Sequence, residues 1–537
     1  MPEPPSEQSL CYAPRGLCQC LGNEFPANCH VIRRFVPRLA ESVSMSLSAH
    51  HLADDDRASI ATLPLGVGVG VFGLLLIAGN RLLVDPDTFW QVAIGRWIAE
   101  NRAVPVTDVF SFTMHGQPWI STQWLAQVMF AQADAVWGWN GIVVLTSLSI
   151  ALTFGLLARF LNNRLSDVAT LILLSLAFVI ALPHLLARPH ALALPVMVAW
   201  VAVMLSASER REAPSLPFVA LMALWANLHG SFVFGLMLIA PIALDAVLSA
   251  GPRARKQLVM RWATFAFFAV IASFATPYGW NSLFAARNIL ALGEALTLIR
   301  EWTPASFATF SPFEGVILAA LGLALYKGVT FPPMRIVLLL GLLHMALAHV
   351  RNADVFALLT PMMMAAPLAA HFGRRGEIRT APQSLAFAVL AMAAVGLTAG
   401  VPSIVRYAPA KEIAPELAAT ALKQTNAQRV FNDYDFGGYL ISRGVKTYID
   451  GRTELYGEHF MVQHNRASAL QKPAEFFELL DAYKIDATFL RTQTAGAQLL
   501  DLVEGWQKVY GDDIAVVHIR KLGARTVMPL EIRPALN

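Results

Sequence analysis

Charged residues are scarce in this sequence. Asp, Glu, Lys and Arg together make up 15% of its 537 residues, whereas soluble proteins contain roughly 25%. Hydrophobic residues make up 56%, and the mean hydropathy is +0.51. A soluble globule of this length would need more polar surface, so the composition predicts an integral membrane protein. The net charge is only +4, and no basic run is interleaved with aromatic residues. Nucleic acid is therefore not an expected partner.

Cysteine is absent after position 29. The four cysteines are Cys11, Cys18, Cys20 and Cys29. The remainder of the chain therefore cannot form an internal disulfide, and the absence of a C-x2-C pair gives little support for a zinc site. Residues 1–60 also lack the continuous apolar segment of a signal peptide. We interpret them as a disordered cytoplasmic tail, of which residues 1–44 precede the more natural start at Met45.

Long apolar runs recur through residues 61–404, the predicted transmembrane domain. They lie at 63–84, 140–160, 167–186, 190–206, 216–228, 231–249, 261–276, 313–326, 335–350, 354–370 and 383–404. Most approach the roughly 20 residues that cross a bilayer. The sequence thus predicts a polytopic α-helical membrane protein with about eleven transmembrane helices. The runs 216–228 and 231–249 are compatible with two short spans or with one kinked helix.

The distribution of Lys and Arg predicts the orientation, because cytoplasmic loops carry these residues in excess. With the N-terminus inside and the spans alternating, the inside loops hold thirteen Lys and Arg residues. The much longer outside segments hold six. We therefore expect a cytoplasmic N-terminus and an external C-terminal domain, since the reverse orientation would invert this bias.

The polar residues that are candidates for function fall on the external side under this topology. They are Asp85, Asp87, Arg188, His190, Asn227, His229, Glu301, Trp302, His349 and Arg351. Polar groups gathered at one membrane face indicate a cavity there. An ion pathway would more naturally place ionisable groups at mid-depth in the membrane.

The external loop 85–138 begins with Asp85, Pro86 and Asp87. Asp followed by Pro is typical of a helix start, with Asp as the N-cap and Pro in the first helical position. Asp87 would then occupy the second position, where the helix dipole favours its ionised form. Apolar and aromatic residues recur at helical spacing over 89–98, a pattern that favours a helix along the membrane interface. Asp85 is thus expected mainly as a cap, and Asp87 is free to face a substrate.

Several short motifs, in their order and spacing, resemble the GT-C glycosyltransferase superfamily. That superfamily includes protein O-mannosyltransferases, oligosaccharyltransferases and lipid A aminoarabinose transferases, and the chain is similar to a bacterial branch with a DPDxFW first-loop motif. The matching stretches are DPDTFWQVAIGRWI, PVTDVFSFT, PWISTQWLAQ, ARPHALALP, WANLHGSFVFGL, TPYG, EW, RNADVFAL, FNDYDFGGYLISRG and YIDGRTELYG.

The resemblance implies transfer of a hexosyl or pentosyl unit from a polyprenyl-phosphate donor to a glycan, lipid or protein acceptor. It implies that the reaction takes place at the external, periplasmic face of the bacterial inner membrane, in the cell envelope. In the superfamily the acidic residue of the first loop acts as a general base, a role that would fall to Asp87 or Asp85. The chain lacks the Asp-Glu pair of the mannosyltransferases, so the choice between these two carboxylates stays open.

A polyprenyl-phosphate leaving group requires positive charge, which arginine supplies in bidentate contacts with phosphate oxygens. Arg351 lies in a four-residue turn between two runs and is the first candidate, followed by Arg188 and His349. Both arginines are also compatible with snorkelling at the membrane interface. No cofactor is predicted, although the histidines leave a divalent metal open.

Other polar residues are candidates for substrate binding. They are His190, His229, Asn227, Glu301, Trp302, Asp450 and Arg452. Trp302 could stack on a sugar ring, but it is equally compatible with an interfacial anchor. Asp450 and Arg452 lie at the end of a predicted strand, where α/β proteins usually bind ligands. Turn and cap roles are the alternative for this pair.

Residues 405–537 have the composition of an ordinary soluble domain. Strands are predicted at 429–432, 446–450, 487–490, 508–510 and 514–519, and helices at 437–443 and 474–482. Strands that alternate with helices predict a small α/β domain.

The alternative function is that of a non-catalytic membrane protein, either a flippase-like transporter or a scaffold of an envelope polysaccharide assembly complex. A transporter should show internal repeats with broken spans in matched positions. Broken spans are present, but no repeat is evident. A transporter also has little use for the long loop 85–138. The sequence therefore favours the glycosyltransferase.

Overall fold

The computed structural model describes residues 62–290, 293–373 and 383–521. The expected tail, the start at Met45 and every cysteine lie outside these residues.

Nineteen α-helices can be assigned in the described residues. They are α1 Thr62–Ile77, α2 Asp87–Asn101, α3 Trp124–Asn162, α4 Asp167–Ala181, α5 Pro189–Glu209, α6 Val219–Leu228, α7 Phe232–Met237, α8 Ile239–Ser249, α9 Pro252–Ser273, α10 Asn281–Leu290, α11 Pro312–Lys327, α12 Pro333–Ala348, α13 Ala353–Phe372, α14 Gln383–Ile404, α15 Glu416–Gln424, α16 Gly437–Ser442, α17 Thr453–Ser468, α18 Pro473–Ala482 and α19 Ala495–Leu500.

Six helical segments in the described part of the chain are long and apolar enough to cross a membrane. They are Trp124–Asn162, Asp167–His184, Pro189–Glu209, Phe232–Ser249, Val350–Phe372 and Ala386–Ile404. Three shorter apolar helices are Thr62–Ile77, Leu216–Leu228 and Pro333–Ala348. The architecture is that of a multi-pass α-helical membrane protein, but the expected count of eleven spans is not confirmed.

The runs 216–228 and 231–249 form separate helices. Helix α6 ends where His229 adopts an extended backbone, and α7 begins at Phe232. Helix α3 instead joins the last part of the loop 85–138 to the apolar run 140–160 that follows it. Trp137 and Gly138 depart from helical geometry within it. A kink that places Gly at positive φ is available to the chain without steric cost.

Large aromatic side chains fill the centre of the helical bundle. Trp200 of α5 stacks on Phe265 of α9 at 5.3 Å between ring centroids, and its Nε1 donates a 3.0 Å hydrogen bond to the Gly235 carbonyl. Gly235 itself lies against the ring of Trp225, where a side chain would clash. Because lipid is as apolar as these side chains, close packing and internal hydrogen bonds stabilise the bundle more than hydrophobic transfer does.

Helix α2 packs against protein on several sides. Phe89 makes edge contacts with Trp139 of α3 and Tyr439 of α16, at 5.3 and 5.1 Å between centroids. Trp90 is 3% exposed. The aromatic residues that suggested membrane contact therefore join the helical bundle to the C-terminal domain.

The C-terminal domain contains a four-stranded mixed sheet in the order β1-β2-β4-β3. The strands are β1 Val430–Asn432, β2 Ala487–Arg491, β3 Trp506–Gly511 and β4 Ala515–Arg520. Strands β1 and β2 are parallel, and the other two pairs are antiparallel. This agrees with the predicted small α/β domain, and the helices predicted at 437–443 and 474–482 correspond to α16 and α18.

The strand predicted at 446–450 is wrong. Thr447 makes single bridges to Val430 and Ser111, but no ladder forms. The side chain of Asn432 takes the place of a neighbouring strand, because it accepts a 2.8 Å hydrogen bond from the Tyr448 N–H and donates one of 2.8 Å to the Ile449 carbonyl. The segment is consequently held as a loop that runs towards the membrane domain.

The loop 85–138 is bonded to this domain. The Phe112 N–H donates a 3.1 Å hydrogen bond to the Thr447 carbonyl, and the Thr113 hydroxyl donates one of 2.6 Å to the Tyr448 carbonyl. The indole N–H of Trp119 donates to Glu454 at 2.9 Å. These bonds hold the loop and the C-terminal domain together beside the start of α2.

Candidate active site

Arg188 and Asp85 form a buried ion pair at the start of α2. Pro189 begins α5 and, as the following residue, keeps Arg188 extended at φ −122° and ψ 159°. The Arg188 Nη2 donates to Asp85 Oδ1 at 2.8 Å, and Nε contacts Oδ2. Asp85 also accepts a 2.9 Å hydrogen bond from the Asp87 N–H. The N-cap is Pro86, not Asp85 as predicted, and Asp87 is the first helical residue. The Asp85 side chain is 0% exposed, so it bonds the first N–H of the helix and holds Arg188.

Asp87 presents its carboxylate beside this pair. Oδ1 accepts a 2.9 Å hydrogen bond from the Trp90 indole, and Oδ2 lies 3.4 Å from Arg188 Nη2. The side chain remains 26% exposed. Burial raises the pKa of Asp87 to about 7, the Trp90 hydrogen bond opposes the rise, and the charges of Glu301 and nearby aspartates add to it. A group of this kind is part ionised and part protonated near neutral pH.

Glu301 is the third carboxylate that Arg188 contacts, through Nη1. The Glu301 side chain is 30% exposed. Burial alone would raise the pKa of this carboxyl, but Arg188 and Arg351 hold it below its ordinary value. Glu301 is therefore an anion at neutral pH. One guanidinium thus joins Asp85, Asp87 and Glu301, which come from two segments far apart in the chain.

Arg351 lies close enough to Glu301 for the two charges to interact. Its guanidinium carbon is 4.3 Å from the ring centroid of Trp302. His349 Nδ1–H donates a 2.7 Å hydrogen bond to the Trp302 carbonyl, and its ring contacts the Trp302 ring edge-on at 5.2 Å. The charges of Glu301, Arg188, Asp354 and Asp87 all act on Arg351. The HVRN turn is therefore part of the same electrostatic cluster as the DPD motif.

Two histidines complete the polar cluster. The rings of His190 and His229 lie 6.2 Å apart, edge to face. His190 Nε2 is 3.2 Å from the His184 carbonyl and 3.8 Å from Asp354. Burial and the neighbouring positive charges place the pKa of His229 well below its ordinary value. His229 is accordingly a neutral imidazole, suited to hydrogen bonds with hydroxyl groups.

Asn227 is already satisfied within the protein. Its carbonyl oxygen accepts a 2.8 Å hydrogen bond from Trp124, and its amide donates to the carbonyls of Ala223 and Ala275 at 2.7 and 2.8 Å. These bonds join α6 to the start of α3 and to the segment after α9. We therefore expect Asn227 to support the site without contacting a substrate.

Asp450 and Arg452 are also closed to a ligand. Two bonds of 2.7 Å join their side chains, Arg452 contacts Asp108 as well, and Tyr456 donates to Asp450 at 2.6 Å. Both side chains are 0% exposed. The strand-end position suggested substrate binding, but the strand is absent and the pair is buried. They form a structural ion pair that flanks Gly451 in the chain.

The residues of the cluster do not fit a metal ion. Among the residues that the structure describes, no group of three or more His, Cys, Asp or Glu side chains could hold one. The carboxylates of Asp85, Asp87 and Glu301 converge on the Arg188 guanidinium instead. We therefore derive no step through a metal.

Four residues of the site were missed in the sequence analysis. They are His184, Asp354, Tyr434 and Gly451. Tyr434 lies close enough to Asp87 for the charge of the carboxylate, after burial, to raise the pKa of the phenol. Gly451 lies directly against Asp87 Oδ1, where a β-carbon would clash. In the sequence, Tyr434 and Gly451 stand next to Asp435 and Asp450 in the two C-terminal motifs, and Asp354 lies in RNADVFAL, whereas His184 lies outside the matching stretches.

No family model matches the chain, and no curated protein sequence matches it. Solved structures do match. The apo crystal structure of the Archaeoglobus fulgidus oligosaccharyltransferase aligns with a TM-score of 0.50 at 11% identity, over 80% of this chain and 69% of that one. Archaeal oligosaccharyltransferase AglB from the same organism, in complex with an inhibitory peptide and a dolichol-phosphate, aligns with a TM-score of 0.51 at 10% identity, over 86% and 74%. At this identity the likeness shows the fold alone: the chain shares the overall fold of these two membrane-protein structures.

Proposed function

We propose that this protein is a glycosyltransferase that moves a sugar from a polyprenyl-phosphate donor to an acceptor at the external face of the bacterial inner membrane. The observation that carries the proposal is the cluster in which Arg188 joins Asp85, Asp87 and Glu301 beside Arg351. The archaeal neighbour in complex with a dolichol-phosphate and a peptide supports a lipid-linked donor and a separate acceptor.

Asp87 is the carboxylate best suited to act as the general base. In the transfer, an acceptor hydroxyl oxygen bonds to the anomeric carbon of the sugar while the bond from that carbon to the phosphate oxygen breaks. The bonding electrons leave with the phosphate, and the hydroxyl proton passes to the base. Asp87 is partly exposed, and a base with a pKa of about 7 works efficiently near neutral pH. Asp85 is less suitable, because it is fully buried against Arg188.

Arg351 is the group best suited to bind the donor phosphate. Stacking on Trp302 fixes its guanidinium plane while the N–H groups remain available for phosphate oxygens. Such pairs are frequently bidentate and charge-assisted. Arg188 has a different role in this proposal, because three carboxylates already neutralise it. It would orient Asp87 rather than bind phosphate.

The remaining polar groups would contact the sugar and the acceptor. Glu301 is ionised and 30% exposed, so it can accept hydrogen bonds from sugar hydroxyls. The neutral imidazole of His229 can form hydrogen bonds with the same hydroxyls. These contacts would hold the anomeric carbon between Asp87 and Arg351, and positioning of this kind accounts for much of the rate of group-transfer enzymes.

Lipid-linked sugars in a deletion strain test the proposal. We expect a polyprenyl-phosphate sugar to accumulate and a surface glycan, glycolipid or glycoprotein to disappear, as measured by mass spectrometry. The wild-type gene and an Asp513→Asn control, which alters an exposed acid in the turn between β3 and β4, should restore the product. Asp87→Asn should not. If the protein were a transporter or a scaffold, Asp87→Asn should restore the product fully, and that result would refute the proposal.

A further inference from the structure

The segment from Asp450 to Arg452 of the C-terminal domain reaches into the site of the membrane domain. Gly451 lies so close to Asp87 that a β-carbon at this position would overlap the Oδ1 atom and come within 2.8 Å of Trp90 Nε1. Oδ1 is the atom that accepts the Trp90 hydrogen bond. The backbone of another domain therefore covers one oxygen of the carboxylate, while the other oxygen faces Arg188.

We propose that Gly451 is a positioning residue: because it has no side chain, the C-terminal domain closes over Asp87 and keeps the carboxylate hydrogen-bonded to Trp90. The inference rests on the proposed role of Asp87 as the base. It makes the C-terminal domain a required part of the active site, although none of the three residues 450–452 need touch a substrate.

The flanking ion pair explains how the glycine is held. Arg452 is bonded to Asp450 and to Asp108 of the loop 85–138, and all three side chains are 0% exposed. Its guanidinium carbon lies 5.3 Å from the ring centroid of Phe110 and 4.9 Å from that of Trp119. A buried guanidinium whose three nitrogens all donate to carboxylates is held in one geometry. The turn is therefore a rigid support for Gly451.

A second close approach acts on the same side of α2. A β-carbon on Gly438 would lie 2.6 Å from the Pro86 carbonyl oxygen and 3.1 Å from Trp90 Cδ1. Gly438 belongs to α16, which follows the YDF turn. Two glycines from separate segments of the C-terminal domain thus allow its backbone to contact the DPD segment, and Trp90 is fixed between them.

The charged groups around Asp87 come from every element packed against it. They are Asp85, Arg188, Glu301, Arg351, Tyr434, Asp435 and Asp450. Burial is the largest cause of the raised pKa of Asp87, and the Trp90 hydrogen bond is the main opposing one. Removing the cover and removing the hydrogen bond should therefore shift the titration of Asp87 in opposite directions.

Labelling of Asp87 by dicyclohexylcarbodiimide tests the inference, because this hydrophobic reagent modifies protonated carboxyl groups. The full-length protein in detergent would be labelled across a pH series, and modification of Asp87 would be followed by peptide mass spectrometry. Wild type should show a midpoint near pH 7. Gly451→Ala should lower the midpoint, because hydration of the displaced carboxylate removes the largest cause of the raised pKa and outweighs the loss of the Trp90 hydrogen bond. Trp90→Phe should raise it by about 1 unit, because a hydrogen bond to the charged form is lost.

Gly496→Ala is the matched control. Gly496 is a buried glycine of the same domain whose β-carbon would meet chiefly Phe476 and the Ser468 carbonyl, away from Asp87. It should keep the wild-type midpoint. Unchanged midpoints in Gly451→Ala and Trp90→Phe would overturn the inference, even if the protein transfers sugar. Shifted midpoints in a protein that transfers no sugar would uphold the positioning and refute the proposed function instead.

Discussion

Arg188 binds both carboxylate oxygens of Asp85, although the two residues are 103 positions apart in the chain. The pair joins the start of α5 to the start of α2. The same guanidinium also reaches Asp87 and Glu301. Asp85 therefore does more than bond the first N–H of α2: it fixes the cation that orients the proposed base.

Replacement of Asp85 by Asn should destabilise the protein more than the loss of a cap would. A lost cap costs about 1 kcal/mol, whereas a broken buried ion pair costs about 3 kcal/mol or more. We expect a value near 3 kcal/mol, because Arg188 retains Glu301 as a partner. The measurement is thermal unfolding in detergent, with Glu100→Gln on the exposed face of α2 as the control. A loss no greater than that of the control would contradict the role of the pair.

The transfer rate should increase with pH through about 7. Burial raises the pKa of Asp87 to about 7, and only the ionised form can accept a proton. Below that pH, the rate should fall by about tenfold per unit as the carboxylate becomes protonated. Above it, the rate should level off. The measurement is a pH profile of single-turnover transfer, and a rate that falls across the same interval as pH rises would contradict the assignment of Asp87 as base.

Substitution of Arg351 should weaken donor binding, and the effect should be larger for the substitution that removes more of its interactions. Arg351→Lys keeps the charge but loses the planar contact with Trp302 and the bidentate geometry. Arg351→Ala loses all three. We therefore expect the KM for the donor to rise for Lys and to rise further for Ala, with a smaller change in the KM for the acceptor. Equal effects on both substrates would show that Arg351 acts on the fold rather than on the phosphate.

Much of the architecture could be predicted from residues alone. Apolar runs indicated the helical membrane domain, and the change in composition near residue 405 indicated the α/β domain. Strands β1, β2, β3 and β4 followed from local β-forming patterns. Local patterns could not reveal that the Asn432 side chain would hold the segment 446–450 as a loop, since that contact spans 16 residues.

The site could be predicted only in part from the sequence. DPD, ARPH, EW and HVRN contained the polar residues that the structure brings together, and external placement suggested that they would meet. Burial, however, decides what each residue can do. Asp450 and Arg452 resemble an open strand-end site in sequence, but a partner 344 positions away, Asp108, closes it. Gly451 has no side chain to suggest chemistry, and its closeness to Asp87 depends on domain packing.

Fusions at two positions test the expected orientation. Alkaline phosphatase is active only outside the cytoplasm, so a fusion after Arg520 in the C-terminal domain should be active. A fusion after Glu212, in a loop expected inside, should be inactive. The basis is the excess of Lys and Arg in the inside loops. The opposite pair of results would place the DPD segment on the cytoplasmic side and contradict external transfer.

Sugar transfer by purified Asp87→Asn protein is the most direct test. The protein would be reconstituted in liposomes with the lipid-linked sugar that accumulates in the deletion strain and with its acceptor, and single-turnover rates would be compared with wild type and Asp513→Asn. A positioned general base contributes about 10²–10⁴-fold. We expect Asp87→Asn to lose at least 100-fold in rate while it keeps its fold and donor binding, and Asp513→Asn to match wild type. An Asp87→Asn protein that transfers sugar at the wild-type rate would contradict the assignment of Asp87 as the catalytic base.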